Sequence, residues 1–446
     1  MKRTLIYNAQ IVNEGQVFKG SVVIEDEYIT EILIGDKKPI NPCDEIIDAQ
    51  MHYLLPGIID DHVHFREPGL THKADIASES RAAVAGGVTS FMDMPNVLPQ
   101  TTTLEALEDK FRIGSQHSMV NYSFYFGATN NNTHLLKELD PKQVCGIKLF
   151  MGASTGNMLV DRKEALKQIF SEAPMLIAAH CEDQNIIRQN TEKIKEQEGD
   201  DPSIDWHPII RSEEACYSSS SLAVQLAKET GARLHLLHIT TARELGLLER
   251  KPLLDKQITA EVCIAHLLFS KADYKTLGTR IKCNPSIKEI SDRDALRQAI
   301  NSELIDVIGT DHAPHLLNEK NGGALKAVSG MPMIQFSLVC MMELVRENII
   351  SIENLVQKMC HNPASLYQIA QRGYIRKGYK ADLVLLNPDH RWTLTPEKLQ
   401  SKCGWSPLEG KTFHSQVEKT FINGHLVYNN GIVNENNRGQ ALQFNR

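Results

Sequence analysis

The chain has 446 residues, a formal net charge of −7 at pH 7 and a sequence pI of about 6.2. Its 48 Lys and Arg against 55 Asp and Glu leave no dense basic cluster of the kind that nucleic acids or anionic membranes bind. The 42% of hydrophobic residues can fill a large core. We therefore exclude nucleic acid and membrane as main partners and expect a globular protein that binds a small molecule.

The cellular compartment is predicted from the N-terminus and the thiols. The first residues alternate polar and apolar side chains, so we expect no signal peptide. No stretch approaches the roughly 18 apolar residues of a membrane helix. The nine cysteines, from Cys43 to Cys403, show no C-x-x-C spacing. These features predict a cytoplasmic protein with reduced thiols.

The sequence pattern of residues 1–53 predicts short strands, because β-branched residues alternate with polar residues in the stretches between glycines. From residue 54, short apolar runs alternate with helical patterns, which is typical of β/α units around a parallel sheet. The eight predicted strands are residues 54–65, 89–95, 121–128, 145–151, 175–183, 233–240, 258–265 and 306–313. Eight strands with eight connections indicate a closed (β/α)8 TIM barrel.

From about residue 370 the pattern returns to strands, with an Asn-Gly turn at Asn423 and Gly424. Both ends of the chain are thus rich in strands and flank one long α/β region. The predicted fold class is α/β, a (β/α)8 TIM barrel of residues 54–369. Beside it we expect a small β-sandwich domain that residues 1–53 and 370–446 form together.

In such a barrel the functional side chains lie at the C-terminal ends of the strands. The first predicted strand ends with His62, His64 and Arg66, which the alternation of a strand directs to the same side. Taken alone, this H-x-H pattern also fits two surface histidines. Its meaning therefore depends on what the other strand ends carry.

Four further strand ends carry ionisable groups. Lys148 stands in an apolar strand, where a charged ammonium is costly. It is either half of a buried ion pair or a neutral amine carboxylated to a carbamate that bridges two metal ions. The fifth strand ends with His180 and the sixth with His238, whereas His235 faces the other side and is interpreted as structural. The eighth ends with Asp311, which can bind a metal and exchange a proton.

Together these groups predict a metal site at the barrel mouth. The number of ligands is larger than one tetrahedral zinc with an open position can use, but it suits two ions about 3.5–4 Å apart. Nitrogen and oxygen ligands without a thiolate favour zinc. The predicted metal ligands are His62, His64, Lys148, His180, His238 and Asp311.

The run DDHVHFREPG, followed by AGGVTSFMDMPN, GIKLFM, AAHCED, HLLHIT and GTDHAPH, resembles the dihydroorotases of the amidohydrolase superfamily over nearly the whole chain. The resemblance implies a homodimeric enzyme of pyrimidine biosynthesis that interconverts N-carbamoyl-L-aspartate and L-dihydroorotate. It implies two Zn²⁺ ions per chain, bridged by carboxylated Lys148. A bridging hydroxide attacks the ring amide carbonyl, and Asp311 is the catalytic proton shuttle.

Dihydroorotate carries a carboxylate that allantoin and hydantoins lack, so its enzyme needs a fixed cation at that end. Arg66 fits this role, and an ordinary salt bridge with Glu67 is the alternative interpretation. The resemblance adds Asn96, Asn284 and His315 as substrate-binding positions.

Other interpretations stay open from the sequence. The close relatives include allantoinases and dihydropyrimidinases, which share the metal site, and amidohydrolase-like scaffolds without catalytic activity. The small, Gly-rich segment at residues 151–160 is either a mobile lid, with Ser154 or Thr155 as contacts, or a plain connection.

Overall fold

The computed structural model of the protein describes residues 2–152 and 158–446. The predicted contacts Ser154 and Thr155 lie outside the described residues. The fold is a (β/α)8 barrel with a β-sandwich domain built from both ends of the chain, which confirms the predicted fold class.

The barrel strands follow one another in chain order and are parallel. They are Ile58–Val63, Val88–Asp93, Asn121–Phe124 with Phe126–Gly127, Ile147–Phe150, Ile177–His180, Leu234–Leu236, Ile258–Cys263 and Val307–Gly309. A parallel bridge between Val63 and His312 joins the first strand to the residues after the eighth and closes the ring. All eight C-terminal ends therefore meet at one mouth.

The predicted first strand, residues 54–65, divides into two. Tyr53–Pro56 pairs with strands of the terminal sheet, and only Ile58–Val63 belongs to the barrel. Gly57 separates them, and a Cβ at this position would lie 2.0 Å from Thr89 Oγ1. The chain passes from one domain to the other where only glycine fits. The domain boundaries at 53/54 and 369/370 stay predictions.

Helices surround the barrel strands and bury their apolar faces against them. The α-helices are Ile76–Ala85, Leu104–His117, Lys163–Glu172, Gln184–Glu198, His207–Ile210, Glu213–Thr230, Ile264–Leu268, Tyr274–Leu277, Ile290–Ala299, Ser337–Arg346, Ile352–Val356 and Asn362–Tyr367. Side chains of Asp75, Thr103, Asp183 and Ser212 accept hydrogen bonds from the first backbone N–H groups of their helices. Within the described residues, no helix has the length and apolar character needed to cross a membrane.

The terminal sheet has nine strands. Five come from the N-terminal end, Arg3–Asn13, Gln16–Glu25, Tyr28–Ile34, Glu45–Asp48 and Tyr53–Pro56, and four from the C-terminal end, Leu383–Asn387, Gln416–Ile422, His425–Asn429 and Ile432–Val433. Tyr53–Pro56 and Leu383–Asn387 pair in antiparallel fashion and join the two groups. A small second sheet pairs Trp392–Thr393 with Thr412–Phe413. The two chain ends thus form one β domain, as the sequence predicts.

A buried polar cluster fixes this domain to the barrel. The Asp382 carboxylate forms an ion pair with Arg372 and accepts hydrogen bonds from the Asn423 backbone N–H at 2.8 Å and from Asn121 Nδ2 at 3.2 Å. Asn121 begins the third barrel strand. Because buried charges are stable only when paired and hydrogen-bonded, this cluster also determines how the domain sits on the barrel.

Candidate metal centre and substrate cavity

A cavity of about 490 Å³ lies at the C-terminal ends of the barrel strands. All ten site residues predicted from the sequence line it: His62, His64, Arg66, Asn96, Lys148, His180, His238, Asn284, Asp311 and His315. Arg211, Lys282 and residues 324–330, which the sequence patterns did not indicate, also line it. His235 is buried outside the cavity, with Nδ1 2.8 Å from Thr259 Oγ1, in line with a structural role.

Two imidazoles converge on one carboxylate oxygen. Asp311 Oδ1 lies 3.3 Å from His62 Nε2 and 3.1 Å from His64 Nε2. The other ring nitrogens are also held: His62 Nδ1 is 3.1 Å from Glu261 Oε1, and His64 Nδ1 is 2.7 Å from Asn96 Oδ1. Since these oxygens only accept, both rings donate through Nδ1 and direct Nε2 toward Asp311.

The second pair of imidazoles lies beside the first. His180 Nδ1 is 2.9 Å from His238 Nε2, and His180 Nε2 is 3.0 Å from Glu182 Oε2. The Glu182 carboxylate is also paired with Arg211. The rings of His62 and His238 have centroids 5.3 Å apart, so all four imidazoles form one group.

The donor spacing fits metal coordination. Nitrogens at 2.0–2.1 Å from one tetrahedral zinc lie roughly 3.3 Å from one another. The separations of 3.3, 3.1 and 2.9 Å match this geometry. The group of His62, His64 and Asp311 could therefore hold a metal ion, and His180 and His238 lie beside it.

Lys148 lies in the same wall of the cavity. Its side chain is buried, and its Nζ lies 4.5 Å from the centroid of the Phe150 ring. Among the described residues, no carboxylate is within 4.0 Å of this nitrogen, so the alternative of a buried ion pair is not formed there. Burial lowers the pKa of Lys148 to about 8. The neutral amine, which is the form that carboxylation requires, is thus more accessible than in an exposed lysine.

Charge and backbone geometry both constrain Asp311. Burial opposes ionisation, but His62 and His64 outweigh it and hold the pKa of Asp311 well below its usual range. The backbone of Asp311 is left-handed, with φ 47°, as are those of His238 at 39° and Arg66 at 68°. Such conformations cost about 1–3 kcal/mol each in non-glycine residues and persist only where the surroundings hold them.

His312 holds the backbone beside Asp311. Its carbonyl accepts from the His64 N–H at 2.8 Å, its own N–H donates to Thr310 Oγ1 at 3.0 Å, and its Nε2 lies 2.8 Å from Glu79 Oε2. The carboxylate of Glu79 is fully buried. These hydrogen bonds fix the backbone that follows Asp311.

Arg66 forms the carboxylate end of the cavity, the part of the wall that is predicted to bind a substrate carboxylate. The guanidinium donates to the Pro314 carbonyl at 3.0 Å from Nε and lies 2.9 Å from His315 Nε2. Glu67 accepts instead from the Ile76 N–H at 2.9 Å, so the alternative salt bridge is not formed. Although burial lowers the pKa of Arg66 to about 10, the side chain remains cationic at neutral pH. Two of its five donors are used, and none of the described residues places a carboxylate within 4.0 Å.

The three remaining predicted contacts, His315, Asn284 and Asn96, also line the cavity. Burial, with the charges of Arg66 and Lys73, holds the pKa of His315 well below its usual range, so the ring is neutral and accepts from Arg66. Asn284 Oδ1 accepts from Ser329 Oγ at 3.0 Å. Asn96, predicted as a substrate contact, also orients His64, which the sequence did not indicate.

Sequence reasoning missed Glu261, although a signal was present. This carboxylate lies in the seventh barrel strand, is fully buried, and accepts from His62 Nδ1 and from the His238 backbone N–H at 3.1 Å. An acidic residue in an apolar strand is as costly as Lys148 in its own strand, and the same argument applies to it. Residues 324–330 carry no comparable signal.

The comparisons with known proteins agree with this geometry. Residues 53–427 match the model of the amidohydrolase family. The chain belongs to this family. Among curated relatives, the dihydroorotase of Methanosarcina mazei is 31% identical, with 98% of this chain and 97% of the relative covered. The dihydroorotase of Halobacterium salinarum is 33% identical, with coverage of 87% and 89%.

Solved structures show the same architecture. The L-hydantoinase (dihydropyrimidinase) from Arthrobacter aurescens matches with a TM-score of 0.92 and 25% identity over 97% of this chain and 98% of the other. The dihydropyrimidinase from Brevibacillus agri, at 22% identity, matches in fold with a TM-score of 0.86 over 97% and 96%. The motif resemblance is thus confirmed, and the chain is an enzyme of the amidohydrolase family.

Replacing Glu261 tests whether this carboxylate supports a metal centre. We expect Glu261→Ala to weaken zinc binding about 10- to 100-fold, because His62 loses the acceptor that orients its ring. Competition with a chelator measures the affinity. Glu244→Ala is the matched control, since Glu244 is also buried but bonds Ser220 and Thr241. Equal zinc affinities in the two variants, with similar melting temperatures, would contradict the assignment.

Proposed function

We propose that the protein is a zinc-dependent dihydroorotase that interconverts N-carbamoyl-L-aspartate and L-dihydroorotate in pyrimidine biosynthesis. The observation that carries the proposal is the buried Arg66 guanidinium, which lines the cavity without a carboxylate partner among the described residues. A buried ion costs several kcal/mol unless an opposite charge compensates it. The substrate carboxylate supplies that charge.

This cation favours dihydroorotate over the related substrates. Dihydrouracil, hydantoin and allantoin carry no carboxylate on the ring, and their binding would leave Arg66 desolvated and without an ion-pair partner. The curated relatives named dihydroorotase support the same choice, whereas the hydantoinases support the fold and the class of reaction. The filled ligand positions favour an active enzyme over a scaffold. The homodimer and the cytoplasmic location stay predictions.

The residues at the mouth fit two zinc ions. His62, His64 and Asp311 would hold one, His180 and His238 the other, and carboxylated Lys148 both. When bound, such ions supply a hydroxide at neutral pH and stabilise the charge that develops on the ring carbonyl oxygen.

The side chains of the enzyme perform the proton transfer and the orientation. Asp311 takes a proton from the attacking water and delivers it to the departing ring nitrogen, and in ring closure it accepts the ureido proton. Arg66 holds the substrate carboxylate, and His315, whose Nε2 accepts from the guanidinium, orients Arg66. Because they fix the ring relative to Asp311, they contribute through positioning.

Parallel assays of dihydroorotate, dihydrouracil and allantoin test the function. The zinc-loaded enzyme should hydrolyse dihydroorotate with the highest kcat/KM. In Arg66→Met we expect kcat/KM for dihydroorotate to fall about 100-fold, since truncating one partner of a buried charged pair costs about 2–5 kcal/mol. Arg112→Met, on an exposed helix face, is the control. Faster turnover of dihydrouracil or allantoin by the unmodified enzyme would overturn the assignment.

A second experiment tests the carbamate. Lys148→Ala should lose activity because no bridging anion forms, and added short-chain carboxylic acids should restore part of it. Turnover of dihydroorotate with and without propionate gives the answer. Full activity of this variant without an added acid would rule out the carbamate.

A further inference from the structure

A second buried cation lies behind the carboxylate end of the cavity. Lys320 closes the short turn Leu317–Lys320, and its side chain is 2% exposed. Its Nζ donates to three backbone carbonyls, those of Lys282 at 3.1 Å, Val328 at 2.7 Å and Gly330 at 2.7 Å. All three N–H groups of the ammonium are thereby used.

Lys320 has no carboxylate within 4.0 Å among the described residues. The neighbouring Glu319 carboxylate is 2.6 Å from Lys73 Nζ and accepts from the Leu316 N–H at 2.8 Å. Burial lowers the pKa of Lys320 to about 7, and the charges of Lys282 and Arg66 act in the same direction. The three carbonyl acceptors and the nearby Glu319 carboxylate favour the ammonium form of Lys320, and in that form its positive charge adds to that of Arg66.

The three carbonyls belong to two segments of the cavity wall. Lys282 leads into the segment of Asn284, while Val328 and Gly330 belong to residues 324–330. The Gly330 N–H also donates to the Lys282 carbonyl at 2.8 Å, and Ser329 Oγ donates to Asn284. Lys320 thus joins these two segments from outside the cavity.

Lys320 is also connected to the predicted substrate contact His315. Its Nζ lies 5.8 Å from the centroid of the Trp405 ring, and Trp405 Nε1 donates to the His315 carbonyl at 2.7 Å. The charge of Lys320 helps to keep the His315 ring neutral. Lys320 therefore affects both the shape and the electrostatic potential of the carboxylate end of the cavity.

We propose that Lys320 is a positioning residue that determines selectivity for ligands with a carboxylate, by joining the two wall segments and adding a second buried positive charge behind Arg66. The inference rests on the proposed function and deepens it. Lys320, although it lies outside the cavity, would contribute to the discrimination between a ring with a carboxylate and the same ring without one.

Orotate and uracil are suitable probes, because they differ only by the carboxylate. Calorimetry on the zinc-loaded protein gives their dissociation constants for the unmodified enzyme and for Lys320→Met, Lys320→Gln and Lys320→Arg. Lys358→Met is the matched control, since Lys358 is also buried and donates to the Ile305 and Ser302 carbonyls near the start of the eighth strand, away from the cavity.

We expect Lys320→Met and Lys320→Gln to weaken orotate binding about tenfold, to leave uracil binding within about twofold, and to raise KM for dihydroorotate more than they change kcat. Lys320→Arg should keep the preference for orotate. If Lys320→Met does not fold, the orotate affinities of Lys320→Gln and Lys320→Arg are compared instead. Gln keeps two hydrogen-bond donors but has no charge, whereas Arg keeps the charge.

Equal losses of orotate and uracil binding would show a merely structural role and overturn the inference, as would unchanged orotate binding. An unmodified enzyme that binds orotate no better than uracil would overturn it as well. An enzyme that binds orotate selectively through Lys320 but does not turn over dihydroorotate would contradict the proposed function alone.

Discussion

The buried guanidinium of Arg66, which forms no direct ion pair within the described residues, is the feature on which the substrate site depends. A buried ion is tolerated when a partner of opposite sign is close. Glu182 is that partner for Arg211, and Glu319 for Lys73. For Arg66 the described residues offer a carbonyl and a neutral imidazole. A ligand that brings a carboxylate completes the charge balance that the fold leaves open.

The same mouth requires backbone conformations that the chain adopts only under constraint. Arg66, His238 and Asp311 each have a positive φ and each follow the end of a different barrel strand. Hydrogen bonds of the neighbouring residues hold them, as those of His312 do beside Asp311. Rigid strands and fixed loops together place the imidazoles at the spacing that a metal ion needs.

The sequence predicted much of this because the signals were local. Period-2 alternation predicted His62, His64 and Arg66 on one side, and all three line the cavity, although the strand ends at Val63 and the backbone of Arg66 is left-handed. Lys148 was costly in any apolar strand. Glu261 carried the same signal, an ionisable residue in an apolar strand, but was not predicted as a site residue. Lys320 and residues 324–330 carried none, since their roles depend on contacts between segments distant in the chain. The first strand was predicted too long because an apolar run continues through Gly57 from one sheet into another.

Relatives named dihydroorotase and structures of hydantoinases share the barrel, so the choice between their substrates depends on the carboxylate end. The most direct measurement is a crystal structure of the zinc-loaded protein with dihydroorotate bound. We expect the ligand carboxylate about 3 Å from the Arg66 guanidinium, with the ring carbonyl toward the imidazoles. A carboxylate turned to solvent, with Arg66 still bonded only to Pro314 and His315, would contradict it.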